Sequence, residues 1–171
     1  MSSIVLDLQA ELVSSECDIL SALRKAHIIA TKLKLVDFDG WIQKELNGYD
    51  LQEDIPEYRK VKCTLRALNP YRGWIPTVIQ NDELEDSICN RYVPNAISSL
   101  LDIYIQKSDN GATMTLPGEQ VVALNKISKN LTQSYFKLFI DNSAIKAIIE
   151  HVKDTLLQWT LKLEEEGITG E

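Results

Sequence analysis

The chain holds two histidines, His27 and His151, and three cysteines, Cys17, Cys63 and Cys89. These are the side chains best suited to nucleophilic, acid–base or metal chemistry, and their spacing supplies little of it. No H-x-x-x-H or C-x-x-C pair occurs, so zinc-ligand spacing is missing. The nucleophile elbow, the P-loop and the dinucleotide fingerprint are missing too. Cys63 beside His27 or His151 would make a thiol–imidazole couple. Cys63, however, alternates with the apolar Val61, Leu65 and Ala67, where burial disfavours a thiolate. Glu57 with Glu53 or Asp54 would give paired carboxylates, although a solvated acidic loop is the simpler reading. Glu164, Glu165 and Glu166 read as a solvated helix end, set against the helix dipole. Asn130-Leu131-Thr132 fits a glycosylation acceptor, which matters only on a secretory route. The expectation is a chain without catalytic, cofactor or metal residues.

The richest chemistry lies in residues 57 to 72. Five basic residues (Arg59, Lys60, Lys62, Arg66, Arg72) face one acid there, with Tyr58, Tyr71 and Trp74 among or beside them. Arg59, Lys60, Lys62, Arg66, Tyr71 and Arg72 form the candidate ligand surface. Basic and aromatic side chains on an exposed sheet face suit single-stranded nucleic acid or a nucleotide. A solvated face that balances the acids of residues 82 to 86 accounts for the same pattern.

The elements that position these residues follow from periodicity. Val61, Cys63, Leu65 and Ala67 alternate with Lys60, Lys62, Thr64 and Arg66, which predicts a half-buried strand. Asn69-Pro70-Tyr71-Arg72-Gly73 predicts a five-residue loop with positive φ at Gly73. A second strand follows from Trp74 to Ile79, and Pro76 confines it to a sheet edge or a bulge. Trp74 and Trp41 are expected to be largely buried.

Residues 1–48 read as three amphipathic helices. Ser2 or Ser3 caps the first, over Ile4, Val5, Leu8 and Leu12, and Ser14-Ser15 breaks it. Asp18 caps the second, with Leu20, Leu23, Ala26, Ala30 and Leu33 as its stripe. Asp37 caps the third, with Phe38, Trp41, Ile42 and Leu46 inward and Gly48 as the stop. Tyr49 to Asp54 is a polar connection. A helix is expected from Asn81 to about Arg91, and another from Pro94 through Ile97, Leu100, Leu101 and Tyr104. Residues 108–111 make a turn, and Thr113 to Leu116 a short strand. Pro117 opens a helix through Val121, Val122, Leu124 and Ile127. Tyr135 to Ile140 is an apolar strand central in the sheet. Asn142 or Ser143 caps a long helix to about Glu165. Its stripe is Ile145, Ile148, Ile149, Val152, Leu156, Trp159, Leu161 and Leu163, read as core rather than as a dimer seam. A linker-like end, Gly167 to Glu171, follows.

This order predicts an α+β domain over residues 1–171, in three parts: helices (1–48), a hairpin-containing part (55–140) and a long C-terminal helix (142–165). In the second part the hairpin is joined by one or two further strands in a small antiparallel or mixed sheet. A length of 171 residues suits one domain, at 44% hydrophobic and 25% charged composition. The formal charge of -7 disfavours general polyanion binding. Three cysteines in odd number read as core thiols in a reducing cytosol. The lack of a basic N-terminal region with a long apolar run indicates no signal peptide, and no run approaches a membrane span. A cytoplasmic chain is expected.

Several stretches carry a resemblance. They are SIVLDLQ (Ser3 to Gln9), LRKAHIIATKLKLVDFDGWIQKELNGY (Leu23 to Tyr49), IPEYRKV (Ile55 to Val61), LNPYRGWIP (Leu68 to Pro76) and LKLEEEGITGE (Leu161 to Glu171). Together they bracket nearly the whole chain, and NPYRGWIP with W-I-x-x-E-L-N-G-Y are the specific parts. The chain resembles the AbiTii domain, a module associated with bacterial abortive infection against phage. That resemblance implies phage defence, either as a toxin or as an interaction module in a defence protein. Members of that family often continue past the E-G-I-x-G-E ending into another region, whereas this sequence stops there, so a short member or a module without that downstream partner is expected. No catalytic residues carry over. Two readings result: a module acting on a protein partner or on a second copy of itself, and a toxin acting on nucleic acid or nucleotide through the basic hairpin.

Overall fold

A computed structural model describes residues 3–50, 54–106, 112–128 and 135–169. Ser2, Glu53, the 108–111 turn and the Asn130–Thr132 pattern lie outside them. The chain divides into two compact units. A helical unit comprises residues 1–55, 94–102 and 146–171, and a sheet unit comprises residues 56–93 and 103–145. The class is α+β, with small antiparallel sheets and a long C-terminal helix.

In the helical unit, α1 (Ile4–Val13) begins at Ser3, whose hydroxyl accepts from the Leu6 amide. Asp18 caps α2 (Ile19–Lys32) by accepting from the amides of Leu20 and Ser21. Helix α2 packs on both α1 and α3 (Val36–Asn47). Leu8, Leu23, Ala26 and Ile42 are fully buried, as their spacing requires. Asp37 does not cap α3. That helix starts two residues earlier than an Asp37 cap would allow, with Leu35 as its N-cap and no side-chain cap bond. The reason lies in the turn before it. The Leu35 amide donates to Ala30 O at 2.9 Å and the Lys34 amide to Thr31 O at 3.2 Å, closing α2 in a Schellman motif. Leu35 therefore ends one helix and starts the next. Asp37 and Asp39 fall in the first turn of α3, where they favour its dipole.

Gly48 ends α3 at φ +93° and ψ 167°, a region nearly exclusive to glycine. The next amide, Tyr49, donates to Pro94 O at 2.8 Å, which ties the helix end to residues 94–96. The final helix, α7 (Asn142–Glu165), has 24 residues and spans about 36 Å. Asp141 takes the capping position expected of Asn142 or Ser143: its carboxylate accepts from the Ser143 amide at 3.4 Å. Ile145, Ile148, Ile149, Val152, Leu156 and Leu163 are buried, whereas Leu161 is exposed and Trp159 only half-buried. The stripe is thus narrower than its sequence implied. Residues 167–169 are not linker-like. Gly167, at φ +77°, closes α7 in a second Schellman motif, and Ser3 Oγ donates to Thr169 O.

In the sheet unit, the predicted first strand is two strands. β1 (Lys60–Lys62) pairs antiparallel with β4 (Asn90–Tyr92), and β2 (Thr64–Asn69) enters a four-stranded antiparallel sheet. Cys63 is the joint, its amide donating to Cys89 O at 2.7 Å. The four-stranded order is β3–β2–β6–β5, with β3 (Gly73–Pro76), β5 (Ala112–Met114) and β6 (Phe136–Ile140). Pro76 lies on the edge strand and β6 inside the sheet, as the sequence implied. Asn69 pairs with Gly73, so the loop is three residues rather than five. Asn69 Oδ1 accepts from the amides of Tyr71 and Arg72, and Gly73 takes φ +77°. Helix α4 (Asp82–Cys89) is capped by Asn81 and stops before Arg91, because residues 90–92 are taken by the ladder to β1. Helix α6 (Gly118–Ser128) starts just after Pro117, and α5 (Ile97–Gln106), whose residues 97–102 belong to the helical unit, starts three residues after Pro94.

Val61, Cys63 and Leu65 are buried as the alternation requires. Burial pushes the Cys63 thiol up to about 11; the neighbouring Cys89 adds to this and Arg91 opposes it. The folded value lies above the unfolded one, so the fold favours the protonated thiol. Its contribution is intact below about pH 9 and is lost as pH rises through about 11. At pH 8, a thiol reagent should label half-buried Cys17 well before Cys63 and Cys89, which should react only on unfolding. Equal labelling of all three in the folded protein would contradict this burial.

Candidate functional site

The sheet unit does not present the six candidate residues as one surface. Arg59 is fully buried, and its Nη1 donates to Val93 O at 2.9 Å. It is a structural cation, not a surface one. Lys60 and Lys62 are exposed on β1, with the Lys60 ammonium 5.9 Å above the Tyr92 ring. Tyr92 donates to Glu57 Oε1 at 2.5 Å, and that bond raises the Tyr92 phenol above the ordinary range. Arg66 lies over Phe139, while Tyr71 and Arg72 occupy the exposed tip of the β2–β3 loop. Trp74 is half-buried rather than enclosed.

In the helical unit, His27 donates from Nδ1 to Asp39 Oδ1 at 2.6 Å. The carboxylate can only accept, so the proton sits on Nδ1, and Gln43 Nε2 is left to donate to His27 Nε2 at 3.3 Å. The pair joins α2 to α3 and is partly exposed. Among the described residues no group of His, Cys, Asp and Glu could hold a metal ion. No described helix is long and apolar enough to cross a membrane.

A groove of about 610 Å³ opens in the same unit, where the α2–α3 turn meets the C-terminal half of α7. Leu35, Val36, Phe38, Trp159 and Leu163 give it an apolar lining, and Lys34, Asp37, Lys162 and Glu166 stand around it. Phe38 and Trp159 stack with centroids 4.2 Å apart and planes 16° from parallel, and Trp41 lies 5.3 Å from Phe38. Val36 is 77% exposed. The AbiTii family profile matches residues 3–171. The chain belongs to the AbiTii family. Searches of characterised proteins and of solved structures return no match. Membership places the AbiTii chain with bacterial abortive-infection, phage-defence modules.

One feature of this AbiTii groove carries a cost. Lys34 sits at φ 58°, and no other described residue except glycine has a positive φ. It occupies the same Schellman position that Gly167 fills at the end of α7. A side chain there is strained by roughly 1 kcal/mol relative to glycine. Sequence reasoning missed it because no glycine or proline marks the Leu33-Lys34-Leu35 turn. Lys34→Gly should therefore raise the unfolding free energy by about 1 kcal/mol, read by urea denaturation. A loss of stability would show that the lysine is held by contacts that outweigh its strain.

Proposed function

We propose that this AbiTii chain serves abortive infection by protein contact, through its aromatic groove. The groove would take up a segment of another protein or of a second copy, coupling an infection signal to a growth-arresting output. The carrying observation is the Phe38–Trp159 stack, left half-buried in a groove that an exposed Val36 also lines. Large aromatic anchors ringed by charges are the anatomy of a binding hot spot. None of Lys34, Asp37, Lys162 and Glu166 has an ion-pair partner among the described residues, so the rim charges stand ready for a partner. The strained Lys34 supports the same reading, since strain tends to collect at ligand clamps.

Val36→Asp places a charge on the groove without touching the core. Sedimentation of the wild-type and variant chains, with affinity capture before and during phage infection, tests the proposal. Self-association or capture that Val36→Asp abolishes supports it. A wild-type chain that stays monomeric at high concentration and captures nothing would overturn it, as would capture that the variant leaves unchanged.

A further inference from the structure

The β3–β2–β6–β5 sheet has two unlike faces. One is core: Leu65, Phe136, Leu138 and Ile140 are buried. The register sets the other. Arg66 stands directly opposite Lys137, Leu68 opposite Trp74, and Phe139 between Thr64 and Thr113. Tyr135, two residues before Lys137, falls on that face as well, and its carbonyl accepts from the Leu68 amide. Tyr135 is 72% exposed, Leu68 is 41% exposed, and Thr64, Thr113 and Lys137 are exposed. Phe139 is itself buried and Arg66 and Trp74 are half-buried, while the rest of the face is exposed; it is neither plainly apolar nor plainly charged.

Two cations in register repel each other unless something compensates. Here each lies on an aromatic ring. The Arg66 guanidinium is 4.6 Å from the Phe139 centroid, and the Lys137 ammonium is 5.0 Å from that of Trp74. Neither cation has a carboxylate partner among the described residues, and Arg66 Nε is buried with no hydrogen-bond partner. The acids of residues 82–86, which could have balanced them, form no ion pair with them. The charge is also divided between the units. The sheet unit holds ten Lys and Arg against eight Asp and Glu, a formal +2. The helical unit holds eight against seventeen, a formal -9. The chain's overall acidity therefore does not describe this face.

We propose that the open face of this sheet binds single-stranded nucleic acid, with bases stacked on Trp74 and Tyr135 and phosphates met by Arg66, Lys137 and the loop residue Arg72. Aromatic rings on an antiparallel sheet, flanked by cations, take unpaired bases because every base has a π face. Lys137 would leave the Trp74 ring for a phosphate as a base takes its place. A duplex hides its bases and gains nothing from the rings. An acidic protein segment would meet the cations but would not use both rings.

Fluorescence anisotropy with labelled oligo-dT and oligo-U of about 12 nucleotides, a duplex of equal length and poly-glutamate tests this. Either single strand should bind more tightly than the duplex and the polypeptide, the tighter of the two naming DNA or RNA. With three phosphates neutralised, affinity should fall about 20-fold between roughly 50 and 200 mM salt. Lys137→Glu, on an exposed side chain, should weaken binding at least about tenfold, and Trp74→Ala by roughly tenfold, with Trp74→Phe recovering part of it. Val36→Asp should leave binding unchanged, which separates this site from the groove. Duplex or poly-glutamate binding as tight as the single strands would overturn the proposal. So would single-strand affinity that Lys137→Glu does not alter.

Discussion

Arg59→Ala is expected to destabilise the chain by roughly 3–5 kcal/mol. The guanidinium is wholly out of water, and Nη1 donates to the carbonyl of Val93, itself buried. The two residues are bonded twice, since the Val93 amide donates to Arg59 O at 2.9 Å. Truncation leaves a buried carbonyl without its donor and a cavity the length of the side chain. Arg59→Lys should recover little, because an ammonium cannot reproduce the fork of donors. Chemical denaturation of the two variants reads this directly. A cost below about 1 kcal/mol would mean that the arginine is solvated.

Gly48→Ala is the second large effect, at roughly 2–4 kcal/mol. Two costs combine. Backbone at φ +93° with ψ 167° is strained for any residue with a Cβ. The added Cβ would also sit 3.1 Å from Pro94 O and 3.3 Å from Ala96 N, both backbone atoms with little room to give. Gly73→Ala offers the contrast. Its φ of +77° is strained too, but nothing lies within 4 Å of the added carbon, so its cost should be only about 1 kcal/mol. Equal costs at the two positions would show that crowding against residues 94–96 contributes nothing.

Much of this architecture is legible in the sequence because its causes are local. Asp18 caps a helix through the amides two and three residues on, and Gly73 turns a hairpin within five residues. The near-continuous apolar run from Tyr135 to Ile140 marks an inner strand without reference to anything distant. What the sequence hides depends on distant partners. The break at Cys63 exists because residues 60–62 pair with residues 90–92, and the same pairing ends α4 before Arg91. Arg59 reads as a surface cation because charge usually seeks water, and only the fold supplies Val93 to receive it. Trp41, Trp74 and Trp159 read as core by size, yet all three remain half-buried. Asp37 reads as a cap until the turn at Lys34 hands the cap position to Leu35, two residues before it. The open sheet face was partly within reach. The period of two in residues 135–139 places Tyr135, Lys137 and Phe139 together, but only the register to β2 brings Arg66 and Trp74 alongside them.

The two candidate surfaces lie in different units and carry different chemistry. The groove offers aromatic and aliphatic side chains with a mixed-charge rim, as a protein segment requires. The sheet face offers rings and unpaired cations, as a single strand requires. A defence module with both could sense one kind of molecule and signal through the other.

The groove is the more direct to test, because Val36 is exposed and its replacement leaves the core intact. The decisive measurement is phage plating on bacteria carrying the wild-type chain or Val36→Asp in its native gene context, with unfolding midpoints recorded for both proteins. The expected result is an unchanged midpoint, with plaque counts on the variant rising to those of cells lacking the gene. Full protection by a stably folded Val36→Asp chain would contradict the claim that the groove carries the defence function.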